Sequence, residues 1–255
     1  MLPICGMALD MSQRTGDRSI LALAHGYVAA GLLMTGRQPE ALTHQQEEIA
    51  MHRASGDRFG EMRAIGNMNL TLSSLKRFSE ALAGARTQLE IAREIASPVG
   101  ERHALMSIGI AQHGLGNLPA AIEAFAEFQV LARDADDAMH ECEALMGIGL
   151  VHVEQHDPAS AIKVLQVALA RSRETRSLAV EPKILARLGQ AMRLHGDLRE
   201  ALDHSRKALI LAREVGDGYS LGLAQAELAA LGGVSREGGS AGAEGEEEVD
   251  AVGHG

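Results

Sequence analysis

Ala41, Ala81, Ala121, Ala161 and Ala201 recur at forty-residue steps, and so do Arg53, Arg93, Arg133, Arg173 and Arg213. Five copies in register without an insertion mark a repeat array, in which each unit buries its apolar face against its neighbours. A chain built this way has no single core, so its 255 residues do not divide into conventional globular domains.

Within each copy the apolar residues follow a helical period. Ile184, Leu185, Leu188 and Met192 form one stripe on one face. The pattern predicts first helices over 17–35, 57–75, 98–115, 137–155 and 180–195. Second helices are expected over 39–54, 78–95, 118–134, 158–174 and 198–214. Punctuation agrees: Gly36, Gly116 and Gly196 suit left-handed caps, and Pro39, Pro119 and Pro158 fall near the start of the following helix. Between units, Gly16-Asp17, Gly56-Asp57 and Gly216-Asp217 pair a stop with an N-cap, a purpose that Asp136 or Asp137 serves in the fourth unit. The repeated Ala marks a close helix crossing, where a larger side chain would cost about 1–3 kcal/mol. Gly109, Gly149 and Gly189, with Ala29 and Asn69 at the same phase, are the expected facing residues.

The resulting division is a half unit at 1–15, holding a second helix only, and five units at 16–55, 56–95, 96–135, 136–175 and 176–216. A capping helix at 217–232 and an acidic tail at 233–255 complete it; the tail's Gly, Ser and Glu content predicts disorder. Opening on half a unit is what descent from a longer array, or a misplaced start codon, would leave.

Composition narrows the function. Residues 236–250 carry six acidic residues and one Arg, half of the net charge of -10, and no large basic surface is left for nucleic acid. Cys5 and Cys142 make no disulfide framework, and no leader or membrane span is read, so a cytoplasmic protein is expected. His152 and His156 stand at i, i+4, but the intervening Glu154 is misplaced for a metalloprotease, and two ligands fall short of a zinc site. The remaining histidines, and acidic residues such as Glu47, Glu48, Glu141 and Glu143, read as solvated helix surface. No catalytic set, metal or cofactor is expected.

The small residue in the first helix, the turn Gly, the Ala-Leu of the second helix and the hairpin unit together resemble the tetratricopeptide repeat. The aliphatic Ile65, Leu105, Leu145 and Leu185 and the forty-residue length point to a variant form. That form is similar to the C-terminal repeat arrays of SARP and ATPase-linked LuxR-type bacterial transcription regulators, and to eukaryotic G-protein-modulator adaptors. The resemblance implies an all-α, right-handed alpha-solenoid that binds protein or peptide without catalysis, as the sensor or interaction part of a signalling or transcription system. A signalling-peptide or small-molecule receptor is the alternative, and a metal-dependent enzyme a remote one.

The family pattern places the binding groove on the first helices. It assigns Arg63, Asn67 and Leu70 from the second unit, and His103, Met106, Ile110 and His113 from the third. Glu143, Met146 and Leu150 follow from the fourth, and Lys183, Arg187, Gln190 and Arg193 from the fifth. Met106, Ile110, Met146 and Leu150 would form an apolar stripe, or would equally serve packing between units. Lys183, Arg187 and Arg193 would form a basic end, so the implied partner carries apolar anchors and an acidic or carboxylate group. Lys183 and Arg187 match half of the family's carboxylate clamp, whereas Met106 and Ile110 do not fit the other half. The chain's own Glu244–Glu248 segment is a further candidate occupant of the basic end.

Overall fold

The computed structural model describes the backbone of residues 18–176 and 179–240, with side chains from 19 to 232 within those limits. The expected half unit at 1–15 and the tail beyond 240 lie outside the described residues. The described chain is all-α. Its helices are α1 (Arg18–Met34), α2 (Gln38–Ser55), α3 (Arg58–Ser74), α4 (Phe78–Glu94), α5 (Pro98–Gly114) and α6 (Leu118–Asp134). They continue as α7 (Ala138–Glu154), α8 (Pro158–Glu174), α9 (Glu181–His195), α10 (Leu198–Val215) and α11 (Gly218–Ser240). Two compact units divide after Val151. In the first, consecutive helices from α1 to α6 pack as hairpins and α3 also touches α5. In the second, α9 packs on α8, α10 and α11.

Each of the ten connections places one residue in the left-handed region, at twenty-residue steps from Gly36 to Gly216. Glycine fills five of these positions; Lys76, Ala96, Asp136, His156 and Arg176 fill the others. Asp136 and Asp137 divide the work that either was expected to do. Asp136 takes φ +51°, and Asp137 accepts the His140 N–H at 3.3 Å as N-cap of α7. An L side chain in this region costs about 1–2 kcal/mol, partly offset by the extra chain entropy that glycine loses on folding. Ala96→Gly should therefore raise the unfolding free energy by about 0.5–1 kcal/mol, read as a higher urea midpoint at unchanged slope.

The repeated residues acquire physical roles. Ala41, Ala81, Ala121, Ala161 and Ala201 are fully buried. The repeated Arg reaches eight residues ahead into the following unit: Arg53 meets Glu61 at 2.7 Å, Arg93 meets Glu101 at 3.5 Å and Arg173 meets Glu181 at 2.8 Å. Glu61 is closed off further by Arg58 at 2.7 Å, so its buried charge is compensated twice.

The small residues of the first helices face a position one turn beyond the repeated Ala. A Cβ on Gly109 would lie 2.5 Å from the Phe125 ring, and one on Gly189 2.3 Å from the Ser205 hydroxyl. Where the second unit carries the larger Asn69, the facing helix supplies Gly84, whose Cβ would sit 2.2 Å from the Asn69 side-chain oxygen. At each of these crossings one of the two facing positions is therefore glycine.

The last helix runs to Ser240, past the expected end at 232 and into the segment read as tail. No proline stops it, although each interior glycine there costs about 1 kcal/mol. Among the described residues no helix is long and apolar enough to cross a membrane.

Candidate functional site

Two neighbouring cavities open on either side of α3, both within the first compact unit. The larger, about 520 Å³, lies between α3 and α5 over α4. Five expected groove residues line it: Arg63, Asn67 and Leu70 from α3, and His103 and Met106 from α5. Their neighbours include Phe59, Met62, Gly66, Gln88, Val99 and Ser107. The walls are mainly apolar, with a few polar groups set into them, as small-molecule and peptide sites usually are. His103 is held below its ordinary pKa by burial first and then by His140 and Arg102, so its imidazole is neutral near pH 7. Arg63 is left as the charged group at this rim.

The smaller cavity, about 320 Å³, lies between α1 and α3 over α2, lined by Gly26, Ala29, Ala30, Leu33, Gln45, Glu48 and Thr71 among others. It shares Asn67 and Leu70 with the larger one. The floors are aligned in the repeat: Glu48 and Gln88 stand forty residues apart, under Gly26 and Gly66. In the third unit the same column holds fully buried Phe128. The deep polar floor therefore belongs to the first two hairpins.

The other expected groove residues are not gathered into these cavities. Met146 is buried, in keeping with packing rather than binding, and Ile110, His113, Glu143 and Leu150 are half-buried outside the two linings. In the second compact unit the expected basic end is engaged from within by α11. The Arg193 guanidinium donates to Glu227 at 2.7 Å, and Arg187 donates to the Tyr219 hydroxyl at 3.0 Å and to Gln190 at 3.0 Å. Lys183 Nζ lies 5.7 Å from the Tyr219 ring centroid, within cation–π range. The capping helix thus gives Arg193 a carboxylate and meets Arg187 and Lys183 with Tyr219.

Two readings of polar residues as solvated surface are corrected. Glu48 and Glu141 are buried, because their repeat columns point inward: Glu48 aligns with Phe128, and Glu141 with Glu61 and Glu181. Histidines also pair between neighbouring helices, although only His25 of the four is buried. His25 Nδ1 lies 3.1 Å from His44 Nδ1, and the His103 and His140 ring centroids are 5.5 Å apart. Among the described residues no three His, Cys, Asp or Glu side chains gather to hold a metal ion. Sequence reading passed over exposed Phe59 and Val99, which belong to one column with Met139 and Tyr219; the forty-residue step was the available signal.

No protein-family model matches the chain, and no curated protein sequence matches it. Solved structures do. Aspartyl phosphate phosphatase F from Bacillus subtilis is similar with a TM-score of 0.72 at 18% identity, over 85% of this chain and 57% of that one. A Rap protein complexed with competence and sporulation factor gives a TM-score of 0.64 at 12% identity, covering 92% of this chain and 70% of that one. A thermophilic TPR protein in Thermus thermophilus gives 0.61 at 20% identity, covering 82% and 98%. This chain spans 57% of the length of the phosphatase structure it matches. At these identities the likeness is one of fold, and the fold is a tetratricopeptide-like solenoid of helical hairpins.

Proposed function

We propose that this chain is a non-catalytic scaffold that binds a peptide or extended protein segment across the first-helix faces of its first compact unit. The observation that carries the reading is the 520 Å³ cavity between α3 and α5, where apolar Phe59, Met62, Val99 and Met106 surround a few polar groups. An extended segment could place side chains there and continue along α3, whose Asn67 and Leu70 border both cavities. The structure of a Rap protein complexed with competence and sporulation factor supplies a precedent for ligand recognition on this fold. Placed in a cell, such a scaffold would serve as the sensor or interaction part of a bacterial signalling or transcription-regulatory system. The sequence resemblance to regulator repeat arrays supports that placement.

Gly66→Leu tests the reading. A Cβ at this position meets the Gln88 amide nitrogen at 2.6 Å, a flexible group that can yield, and the rest of the side chain fills the cavity. Leucine also favours the helix by about 0.8–1 kcal/mol over glycine, so the fold should be kept. Anisotropy titrations with fluorescent randomised peptide pools should show affinity falling about tenfold or more, with the melting temperature little changed. Equal binding by both proteins would remove this cavity from the site, and failure of any pool to bind the wild type would remove the reading itself.

A further inference from the structure

The cavity between α1 and α3 is built around a buried carboxylate with no hydrogen-bond donor among the described residues. Glu48 is 3% exposed and lines the space, and a Cβ on Gly26 would lie 2.8 Å from its Oε1, so the bare glycine backbone is what admits it. Among the described residues no donor lies within hydrogen-bond distance of this carboxylate. The nearest basic nitrogens are Arg63 Nη2 at 3.7 Å and His52 Nε2 at 3.9 Å, too far to donate a hydrogen bond. Arg63 is half exposed and also borders the larger cavity.

Beside Glu48, Gln45 is 2% exposed; its amide nitrogen donates to Thr71 Oγ1 at 3.1 Å, and its Oε1 has no partner. Two acceptors are therefore presented without donors. Burial pushes the Glu48 carboxyl above its ordinary pKa, with Arg63 and then His52 opposing, as expected of a charge that lacks a close partner. A buried group left this way in a cavity is a mark of a binding position. Ala29, Ala30, Leu33 and Leu70 line the approach, an apolar sleeve suited to the aliphatic stem of a long basic side chain.

We propose that this cavity receives the ammonium or guanidinium of a Lys or Arg side chain of the bound peptide, held by the Glu48 carboxylate and the Gln45 amide oxygen. The inference rests on the peptide-scaffold reading and gives it an anchor residue. It also reverses the charge of the partner expected from the sequence, since the basic residues behind that expectation are engaged by α11.

The test uses the full chain and fluorescent decapeptide pools, randomised except for one position fixed as Arg, Lys, norleucine or Glu. Anisotropy should show Arg- or Lys-fixed pools binding about tenfold tighter than the norleucine pool. Glu48→Gln, which keeps the shape and removes the charge, should abolish that preference, so that Arg-, Lys- and norleucine-fixed pools bind it alike. Peptide binding without basic preference, or a preference that survives Glu48→Gln, overturns the inference and leaves the scaffold reading intact. Failure of every pool overturns the scaffold reading and the peptide anchor with it. Agmatine alone separates the remaining source of a cation. If it raises the melting temperature of the wild type and not of Glu48→Gln while all peptides are inert, a free amine is the ligand and the anchor proposal fails.

Discussion

Phe128→Ala is expected to lower the unfolding free energy by about 3–5 kcal/mol. Phe128 is a large side chain with 0% exposure, and its ring meets His140 edge-on with centroids 5.9 Å apart. Truncation removes the transfer energy of the ring and leaves a hole whose cost depends on whether neighbours can collapse into it. The adjacent Phe125 cannot easily do so. Its ring is wedged against the helix backbone at Gly109 and Gly147, where added Cβ atoms would lie 2.5 and 2.9 Å away. Phe128→Leu keeps most of the volume and should cost less than about 1.5 kcal/mol. Urea unfolding followed by circular dichroism measures both. A loss under about 1 kcal/mol for the Ala variant would show that the third unit repacks freely, contrary to the close fit of these rings.

Phe128 also shows why one repeat architecture can be uniformly legible while its site is not. The forty-residue columns placed α6 at 118–134 and α8 at 158–174 as observed, and the other helices up to α10 within a residue, whereas α11 runs eight residues past its expected end. Turn chemistry was legible at the six connections where glycine or the Asp136-Asp137 pair supplies the left-handed residue; Lys76, Ala96, His156 and Arg176 give no such signal. What a column holds in each unit is a separate matter. Column 48 holds Glu48, Gln88, Phe128, Ala168 and Ala208, all buried. Judged singly, Glu48 and Gln88 suggest surface; judged by their column they are floor, and they mark the units where the interior is polar.

The basic end was misleading for a different reason. Lys183, Arg187 and Arg193 do share a face of α9, as their spacing implies, but their partners Tyr219 and Glu227 arrive from α11. Those pairings depend on the register between two helices separated in sequence by α10, which no local pattern encodes. The repeated Arg series, by contrast, has partners only eight residues on, in a Glu column at 61, 101 and 181 that the forty-residue step makes available although the sequence reading did not use it.

Asp137→Ala should cost about 3–5 kcal/mol near pH 7, because one carboxylate serves three donors at the head of α7. It accepts the His140 backbone N–H at 3.3 Å, lies 2.6 Å from His140 Nδ1 and is 3.5 Å from the Arg102 guanidinium. Arg102 is 8% exposed, and its Nε already lacks a hydrogen-bond partner. Losing Asp137 would leave a buried cation uncompensated, the costly half of any buried ion pair. The lost cap alone accounts for about 1 kcal/mol of the total, and the contributions overlap because they share one side chain. Asp137→Asn keeps an acceptor at the cap and should recover roughly that 1 kcal/mol, leaving Arg102 without its counter-charge. Acid should narrow the difference between wild type and Asp137→Ala. Burial pushes the Asp137 carboxyl upward, but the His140 hydrogen bonds and the Arg102 charge outweigh it and hold the pKa below its ordinary value. A depressed carboxylate stabilises the fold above its unfolded pKa of about 3.9, and the gain is lost as pH falls through the folded value. Urea midpoints for the two proteins should therefore differ most above about pH 5 and converge on acidification. A gap that stays constant with pH would mean that Asp137 stabilises the helix by packing alone, and that Arg102 is satisfied by some other group.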